Sequence, residues 1–264
     1  MDSYYNTLET IVVNKDNGVA TLTLNRPDAR NAVSPRMHTE LAEIWPHVAA
    51  DPEIDVIILT GAGKAFCAGG DVKALDAGAF KHRGSMTYEA RQLITGLLEV
   101  EQPIIAAING DAIGLGATIA LFCDITVAAE TARIADPHVR VGLVAGDGGA
   151  VIWPHLVGPN RAKEFLMRGN MLSGTEAARL GLVNYAVPAG EVMKKAGELA
   201  RELADGPRWA IRWTKVSVNK SLKESVNLVL DTSLAFEEVS MTLPDYHEAT
   251  RAFVEKRKPV FNKA

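Results

Sequence analysis

The first part of the chain alternates short apolar runs with turn residues. Residues 10–13 and 19–24 are rich in branched side chains, and Asp16-Asn17-Gly18 lies between them. Asn-Gly is typical of tight hairpin turns, because both residues tolerate a positive φ. The pattern predicts two antiparallel strands, followed by a helix that begins at Pro35 and ends at about Ala50. The apolar face of this helix would consist of Leu41, Ile44, Trp45 and Val48.

Three later segments are continuously apolar rather than alternating. They cover residues 55–60, 104–108 and 125–128, and helical patterns separate them. Continuous apolar strands are typical of parallel sheets that are covered on both faces. Strands that alternate with helices in this way predict an α/β core.

Strand signals stop near residue 206, and helical periodicity continues from there. The predicted helices cover residues 207–220, 222–240 and 244–258, with Pro244 as the break before the last one. We therefore predict an α/β core over residues 1–205 and an all-helical module over residues 206–264.

The helical module carries more apolar positions than a small appendage can bury. Exposed apolar surface of that size usually marks an interface, which predicts an oligomer. The positions in question are Leu228, Leu230, Leu234 and Phe236.

Composition narrows the expected partners and location. The 264 residues are 47% apolar with a net charge of −4, and no basic run exceeds three residues, so we expect neither a nucleic-acid nor a membrane surface. Cys67 and Cys123 show no metal-ligand or disulfide spacing, so we expect no metal. Free thiols fit a reducing cytosol. A signal-peptide pattern is absent and no apolar run reaches about 18 residues, which favours a cytoplasmic location.

Two glycine-rich loops follow two of the predicted buried strands. Segment 64–71 reads Lys-Ala-Phe-Cys-Ala-Gly-Gly-Asp, and segment 109–117 reads Asn-Gly-Asp-Ala-Ile-Gly-Leu-Gly-Ala. Open α/β sheets bind ligands at the carboxyl ends of strands, and the first N–H groups of a helix favour negative charge. If the loops face each other, each can give one N–H to a single oxygen, which forms an oxyanion hole. Two tightly packed turns at the start of helices explain the same pattern without a ligand.

These loops and three further segments resemble the crotonase (enoyl-CoA hydratase/isomerase) superfamily. Residues 25–34 read Asn-Arg-Pro-Asp-Ala-Arg-Asn-Ala-Val-Ser, residues 128–134 read Ala-Ala-Glu-Thr-Ala-Arg-Ile, and residues 252–261 read Ala-Phe-Val-Glu-Lys-Arg-Lys-Pro-Val-Phe. The resemblance implies a spiral core of ββα turns with a C-terminal helical trimerisation module. It also implies coenzyme A thioesters as substrates, no permanently bound cofactor, and homotrimers or dimers of trimers.

The resemblance also implies residues that bind the thioester. The backbone N–H groups of Gly70 and Leu115 would form the oxyanion hole. The family usually has glycine where Leu115 stands. The change preserves the N–H but adds a side chain to the acyl pocket.

Coenzyme A itself would contact three places, by the same resemblance. These are the loop around Arg26 and Ala29, Ala68 in the first glycine-rich loop, and the C-terminal helix. On that helix Phe253 and Lys256 would reach the nucleotide of a neighbouring subunit, with the lysine as a point charge near a phosphate.

The sequence departs from the hydratases of this superfamily at both catalytic positions. Those enzymes use two glutamates, one to activate water and one to deliver a proton. Thr118 and His138 stand at these positions here. A threonine hydroxyl does not exchange protons near neutral pH as a carboxyl does, so the paired-glutamate mechanism is not available to this chain.

His138 and Asp147 are the candidate replacements. A histidine beside an aspartate is a recurrent acid–base arrangement, in which the carboxylate stabilises the protonated ring. Asp147 precedes a predicted helix and has an alternative role as its N-cap, and His138 as a polar loop residue.

The spacing of this pair resembles the β-diketone hydrolase branch of the superfamily. The following Gly-Asp-Gly and Val-Ile-Trp-Pro-His runs and the pocket residue His38 match that branch as well. A further histidine of the branch falls on Leu115. The 4-chlorobenzoyl-CoA dehalogenases have a nucleophilic aspartate near the position of Asp147, but their pocket tryptophan falls on His138.

The leading hypothesis is an enzyme of enoyl-CoA hydratase/isomerase type acting on an acyl- or enoyl-CoA thioester. The first alternative is a hydrolase of C–C bonds or thioesters that uses His138 and Asp147. An alternative of another class is a non-catalytic acyl-CoA-binding protein. The sequence does not identify the acyl group.

Overall fold

The computed structural model describes residues 2–76 and 86–261. Its strands are β1 Ile11–Asp16, β2 Val19–Leu24, β3 Val56–Gly61, β4 Ala65–Cys67, β5 Ile104–Ile108, β6 Asp111–Ile113, β7 Ile125–Ala129, β8 Arg133–Ala135, β9 Leu172–Ser173 and β10 Tyr185–Val187. Its α-helices are α1 Asp2–Tyr5, α2 Pro35–Ala49, α3 Val72–Asp76, α4 Met86–Glu99, α5 Leu115–Phe122, α6 Gly149–Val157, α7 Pro159–Arg168, α8 Gly174–Leu180, α9 Val192–Ala204, α10 Arg208–Ser240 and α11 Pro244–Val254. Short 3-10 helices cover Pro27–Ala29, His138–Val141 and Ala189–Glu191.

The predicted hairpin is present at the start of the fold. Strands β1 and β2 pair antiparallel in continuous register, from Ile11 opposite Leu24 to Asp16 opposite Val19. The two residues of the turn, Asn17 and Gly18, have φ of 46° and 82°, as such a turn requires.

The strands of two sheets alternate along the chain, so that the backbone winds as a spiral. The larger sheet has the order β1-β2-β3-β5-β7-β10 and is parallel from β2 onward, and the smaller has the order β4-β6-β8-β9. Each turn of the spiral adds one strand to the larger sheet, then one short strand to the smaller sheet, then a helix. This ββα repeat confirms the predicted α/β fold class.

The central strands are buried because both faces of the larger sheet are covered. Every residue of β3 and of β5 is buried. Helix α9 packs against β3, β5 and β7 on one face, and β4 and α5 contact the central strands on the other. The carboxyl ends of β3 and β5 therefore deliver the two glycine-rich loops to the same edge of the sheet.

The C-terminal helices differ from the prediction. The two helices predicted over residues 207–220 and 222–240 form one continuous helix, α10, because no glycine or proline interrupts the sequence between them. Pro244 is the first residue of α11, which ends at Val254 rather than near residue 258. Lys256 then adopts a φ of 55°, so the chain leaves the helical conformation there.

Helix α10 divides its apolar residues between the core and the surface. Leu230 and Leu234 are 1% and 4% exposed, so this part of the predicted interface is used within the chain. Leu228 and Phe236 are 80% and 59% exposed, so these two residues remain available for the predicted interface. Among the described helices, none combines the length and apolar character needed to cross a lipid bilayer.

A partly buried ion pair, with 7% of the Lys215 side chain and 21% of the Asp124 side chain exposed, ties α10 to the larger sheet. Lys215 Nζ lies 2.7 Å from Asp124 Oδ2 and 2.8 Å from the carbonyl oxygen of Gln102, to which it donates. The Asp124 carboxylate also accepts a hydrogen bond of 2.7 Å from the Ile104 N–H. Burial raises the pKa of Asp124, and Lys215 opposes this rise.

Replacing Lys215 by methionine should destabilise the protein by about 2 kcal/mol at neutral pH, because it leaves the partly buried Asp124 carboxylate without its cation. The loss should shrink as the pH is lowered, since protonation of Asp124 removes the unpaired charge. Denaturant unfolding at several pH values measures both effects. Lys220→Met, an exposed lysine on the same helix, is the control and should stay within about 0.5 kcal/mol of the wild type. Equal losses in the two variants would contradict the anchoring role.

Candidate active site

The two glycine-rich loops meet at the carboxyl ends of β3 and β5. Gly69 and Gly114 have φ of 87° and 54°, and a side chain on Gly69 would lie 2.8 Å from the carbonyl oxygen of Ile113. The contact therefore requires glycine at Gly69. Neither the Gly70 N–H nor the Leu115 N–H donates to a backbone carbonyl of the described residues, and Leu115 is the first residue of α5. Both N–H groups belong to residues that line one cavity.

The loop around Asn31 holds the first of these segments in position. The side-chain amide of Asn31 donates to the carbonyl oxygens of Ala62 and Ala65, at 2.9 and 2.8 Å. Val33 forms an isolated parallel bridge with Gly70. The early chain segment therefore fixes the backbone of Gly70 from the side opposite α5.

The cavity has a volume of about 250 Å³ and mostly apolar walls. It lies between the two loops, helices α2 and α4, the 3-10 helix His138–Val141 and helices α10 and α11. Among the residues that the structure describes, four titratable side chains reach it: His38, His138, Asp147 and Glu237. Leu115 also lines it, in agreement with the expectation that its side chain enters the pocket.

His138 lies among three carboxyl groups. Its Nδ1 is hydrogen-bonded to Asp136 Oδ1, and its Nε2 lies 3.4 Å from Asp147 Oδ2 and 3.9 Å from Glu237 Oε1. The imidazole ring also lies close to Gly114, the residue before Leu115. A Cβ atom added at Gly114 would be only 3.4 Å from His138 Cε1. The charged cluster is therefore adjacent to the candidate oxyanion hole.

The surroundings of His138 favour its protonated form. Burial by itself lowers the pKa of a histidine, but the charges of Asp136, Asp147 and Glu237 and the hydrogen bond that the ring donates to Asp136 outweigh burial. The pKa of His138 is therefore held well above its usual value of 6.5. The protonated ring is therefore favoured, with Nδ1 hydrogen-bonded to Asp136 and Nε2 within ion-pair distance of Asp147.

Asp147 is held from behind by Thr118. The Thr118 hydroxyl donates a hydrogen bond of 3.1 Å to Asp147 Oδ1, and the Gly149 N–H donates to the same carboxylate. Thr118, expected in the pocket, is fully buried beneath Asp147 instead of lining the cavity. Gly148, not Asp147, is the N-cap residue of α6, but the Asp147 carboxylate still accepts the N–H of Gly149, the first residue of that helix.

Two carboxyl groups of the cluster, those of Asp147 and Glu237, have raised pKa values. Burial raises the pKa of Asp147, and the His138 cation opposes this rise. Burial, together with the charges of Asp147 and Asp136, raises the pKa of Glu237 to about 8, again against His138. The cluster therefore combines a histidine whose protonated form is favoured with two carboxyl groups, Asp147 and Glu237, whose protonated forms are favoured by burial.

The donor set is better suited to proton transfer than to metal binding. Ligand atoms of Asp136, His138 and Asp147 lie within 4.8 Å of one another. However, the two aspartates lie at opposite nitrogens of the ring, so one ion cannot bind the imidazole and both carboxylates. The geometry is that of an imidazolium bridging two carboxylates.

Two residues of the cluster did not emerge from the sequence as candidates for chemistry. Asp136 lies two residues before His138, and this short spacing in Asp-Pro-His could have identified it as a partner of the histidine. Glu237 lies about a hundred residues later, on a helix predicted only from its periodicity. No local pattern distinguishes it from the exposed Glu238 beside it.

A second histidine occupies another wall of the cavity. His38, on α2, lies with its Nδ1 2.7 Å from Glu89 Oε2 of α4, and the Thr39 hydroxyl donates to Glu89 Oε1 at 3.2 Å. The His38 side chain is 4% exposed. Its predicted place in the pocket agrees with this position.

The candidate coenzyme A contacts are spread over the rim of the site. The Arg26 guanidinium donates to the carbonyl oxygen of Ala32 and pairs with Asp71 at 3.3 Å, while Ala29 ends the 3-10 helix beside it. Ala68 and Phe253 line the cavity of their own chain. Lys256 is exposed beyond the end of α11.

The sequence model of the enoyl-CoA hydratase/isomerase family matches residues 14–264. The chain belongs to this family. Relatives over nearly the whole length support the assignment. The chain is 34% identical to 1,2-epoxyphenylacetyl-CoA isomerase of Escherichia coli, with 96% of this chain and 98% of the relative covered. It is 33% identical to a short-chain-enoyl-CoA hydratase of Clostridium acetobutylicum, with 95% and 97% covered.

The fold agrees with a solved member of the enoyl-CoA hydratase/isomerase family. An enoyl-CoA hydratase/isomerase from Mycobacterium paratuberculosis superposes with a TM-score of 0.88 at 36% identity, covering 93% of this chain and 99% of that one. The chain is therefore a crotonase-superfamily acyl-CoA enzyme of lyase or isomerase type. The resemblance to the β-diketone hydrolase branch stays a prediction.

Asp136→Asn should lower the pKa of His138, because Asp136 makes the largest favourable contribution to the imidazolium. Nitrogen-15 NMR of the imidazole measures this directly. The stability contributed by His138 is present below its unfolded pKa of about 6.5 and is lost as the pH rises through the folded pKa. The variant should lose that stability at lower pH than the wild type. The exposed Asp28→Asn is the control, and a neutral His138 in the wild type at pH 7 would contradict this assignment.

Proposed function

We propose that the chain catalyses the reversible hydration of an enoyl-CoA thioester, with the cluster around His138 in place of the two glutamates. The observation that carries the proposal is the position of this cluster against Gly114, beside the Leu115 N–H. The thioester oxygen would accept from the N–H groups of Gly70 and Leu115. Charge that develops on this oxygen as the enolate forms would then be stabilised where it appears.

Water would bind where three polar atoms converge. His138 Nε2, Asp147 Oδ2 and Glu237 Oε1 surround one point of the cavity, at 3.4 and 3.9 Å from the imidazole nitrogen. Asp147 takes one proton from this water while the hydroxide oxygen bonds to the β-carbon. The resulting enolate takes a proton from the cluster at its α-carbon, so one water is added and the cluster regains its proton from Asp147.

His138 would act through its charge. Burial favours protonated Asp147, which cannot accept a proton from water, and the imidazolium counteracts this. Asp136 holds the ring in place through Nδ1. The histidine at the position of a family glutamate therefore restores a carboxylate base nine residues later in the chain.

A specific observation also supports hydrolysis as a second candidate. His38, expected for the β-diketone hydrolase branch, lines the cavity, and its Nδ1 lies 2.7 Å from the Glu89 carboxylate behind it. Attack of the same water on a β-keto carbonyl would break a C–C bond, and attack on the thioester carbonyl would release coenzyme A.

Product analysis distinguishes these candidates. Enoyl-, dienoyl-, β-ketoacyl- and aryl-CoA thioesters are incubated with the protein and examined by mass spectrometry. Hydration adds one water to an intact thioester, C–C hydrolysis shortens the acyl chain, and thioester hydrolysis frees the thiol. Binding without turnover of any thioester would favour the non-catalytic alternative and contradict the proposal.

We also propose that Arg26, Ala29, Ala68, Phe253 and Lys256 contact coenzyme A. Exposed Lys256 provides a point charge for a phosphate, and the ion pair with Asp71 holds the Arg26 guanidinium in place at the rim of the site. The buried free thiols of Cys67 and Cys123 support a reducing, cytoplasmic location.

Asp147→Asn should lower the hydration rate by about 10²–10⁴-fold, the usual size of general acid–base catalysis. His138→Ala should lower the rate and move the rising limb of the pH profile to higher pH, because Asp147 loses the cation that lowers its pKa. The double variant should be little worse than Asp147→Asn if both act in one unit. Steady-state kinetics across pH measure this, with exposed His247→Ala as control. Additive losses would contradict the shared role.

We propose that the protein assembles as a trimer or a dimer of trimers. Leu228 and Phe236 expose 80% and 59% of their surface on one helix, and interfaces cover such residues. Light scattering at micromolar concentration should give a trimeric or hexameric mass, and Leu228→Asp with Phe236→Asp should reduce it. A monomeric wild type would contradict the proposal.

A further inference from the structure

One face of α10 packs against the loop that carries Asp147. Ser233, Glu237 and Ser240 are spaced by four and three residues, which places them on the same side of a helix. The Ser233 hydroxyl donates to the carbonyl oxygen of Gly146 at 2.8 Å, and the Val144 N–H donates to Ser240 Oγ at 3.3 Å. All three residues are buried. The loop therefore rests on this face of α10.

Glu237 is the middle residue of this face. A side chain on Gly146 would lie 2.5 Å from Glu237 Cβ, so the absence of a side chain at Gly146 lets the loop and the glutamate pack closely. Glu237 lines the cavity, and its Oε1 lies 3.9 Å from His138 Nε2. Only burial and the charges of His138, Asp147 and Asp136 act on its carboxyl group, without a hydrogen bond to another described residue. Its proton is therefore not committed to another protein group.

We propose that Glu237 is the general acid that protonates the α-carbon of the substrate, supplied by α10 in place of the glutamate missing from the core. This inference rests on the proposed hydration. It names the group that completes that reaction. The O–H bond of Glu237 breaks as the α-carbon–hydrogen bond forms, and the electron pair of the enolate makes that bond. Glu237 is left as a carboxylate and recovers the proton that Asp147 took from water.

The charges that face Glu237 suit this role. Asp136, Asp147 and His138 face it from the end of β8, from the loop before α6 and from the 3-10 helix. Burial and the two aspartates raise its pKa to about 8, and His138 lowers it. The carboxyl group is consequently protonated in most molecules at pH 7. Protonation of Glu237 and ionisation of Asp147 are opposite requirements, and the position of the imidazolium, 3.4 Å from Asp147 and 3.9 Å from Glu237, favours this division.

Glu237→Gln tests the inference, since glutamine has the same shape but no acidic proton. We expect kcat for the hydrated thioester to fall by about 10²–10⁴-fold with KM changed only a few-fold. The wild-type rate should decrease above about pH 8, where the acid loses its proton, and that limb should be absent from the remaining activity of the variant. Glu238→Gln, the same change at the exposed neighbouring residue, should keep the wild-type rate and profile.

Two measurements detect the proton without a substrate. Infrared difference spectra at pH 7 should show a protonated carboxyl band that Glu237→Gln removes and Glu238→Gln retains. In the wild type, protons leave unfolded Glu237 near pH 4.5 and the folded residue near pH 8, so stability falls as the pH rises between these values. The melting temperature of Glu237→Gln should therefore rise relative to that of the wild type between pH 5 and pH 8.

The outcomes separate the inference from the proposed function. A wild type that hydrates no thioester contradicts both. A wild type that hydrates a thioester as fast as Glu237→Gln, or that shows no protonated carboxyl band, contradicts the role of Glu237 alone. If Glu237→Gln does not fold, Glu237→Asp retains the acid on a shorter side chain. It should then show a lower kcat but keep the limb above neutral pH, and a wild-type kcat with no such limb would contradict the inference.

Discussion

The buried imidazolium of His138 is the interaction on which the site depends. Moving a charge out of water is costly, and a single buried carboxylate would simply take up a proton. Here one cation is surrounded by Asp136, Asp147 and Glu237, with the closest carboxylate at Nδ1 and two others near Nε2. The arrangement shares one positive charge among three acids whose affinities for protons differ with distance. Proton transfer between neighbouring groups of the cluster is therefore possible.

The fold assembles this cluster from four separate segments. The end of β8, the 3-10 helix after it, the loop before α6 and helix α10 each contribute one side chain. Three of them lie within twelve residues of sequence, but Glu237 arrives only because α10 packs on the core. The Lys215–Asp124 ion pair and the Ser233 hydrogen bond to Gly146 fix the position of that helix on the core. Mutations at these anchors should therefore affect chemistry as well as stability.

The elements that depend on short stretches of sequence were predicted correctly. The hairpin at Asn17-Gly18, the buried strands and the two glycine-rich loops follow from turn residues and apolar periodicity, and the structure has them. The continuity of α10 was missed because periodicity alone does not count helices. Burial of Leu230 and Leu234 and the place of Glu237 depend on contacts between distant segments. A single sequence carries no signal for such contacts.

Membership of the enoyl-CoA hydratase/isomerase family defines the scaffold more strictly than the reaction. The oxyanion geometry depends on backbone N–H groups, which survive the change from glycine to Leu115, whereas the proton-transfer groups are side chains and are free to move. At Thr118 the family's glutamate has become a hydroxyl that orients Asp147, and at His138 it has become a cation that tunes the same residue. Both replacements thus act on one carboxylate. A site that relocates two carboxylic acids in this way can keep thioester chemistry, because an enolate held at the proposed oxyanion hole would need a nearby proton rather than a particular residue to supply it.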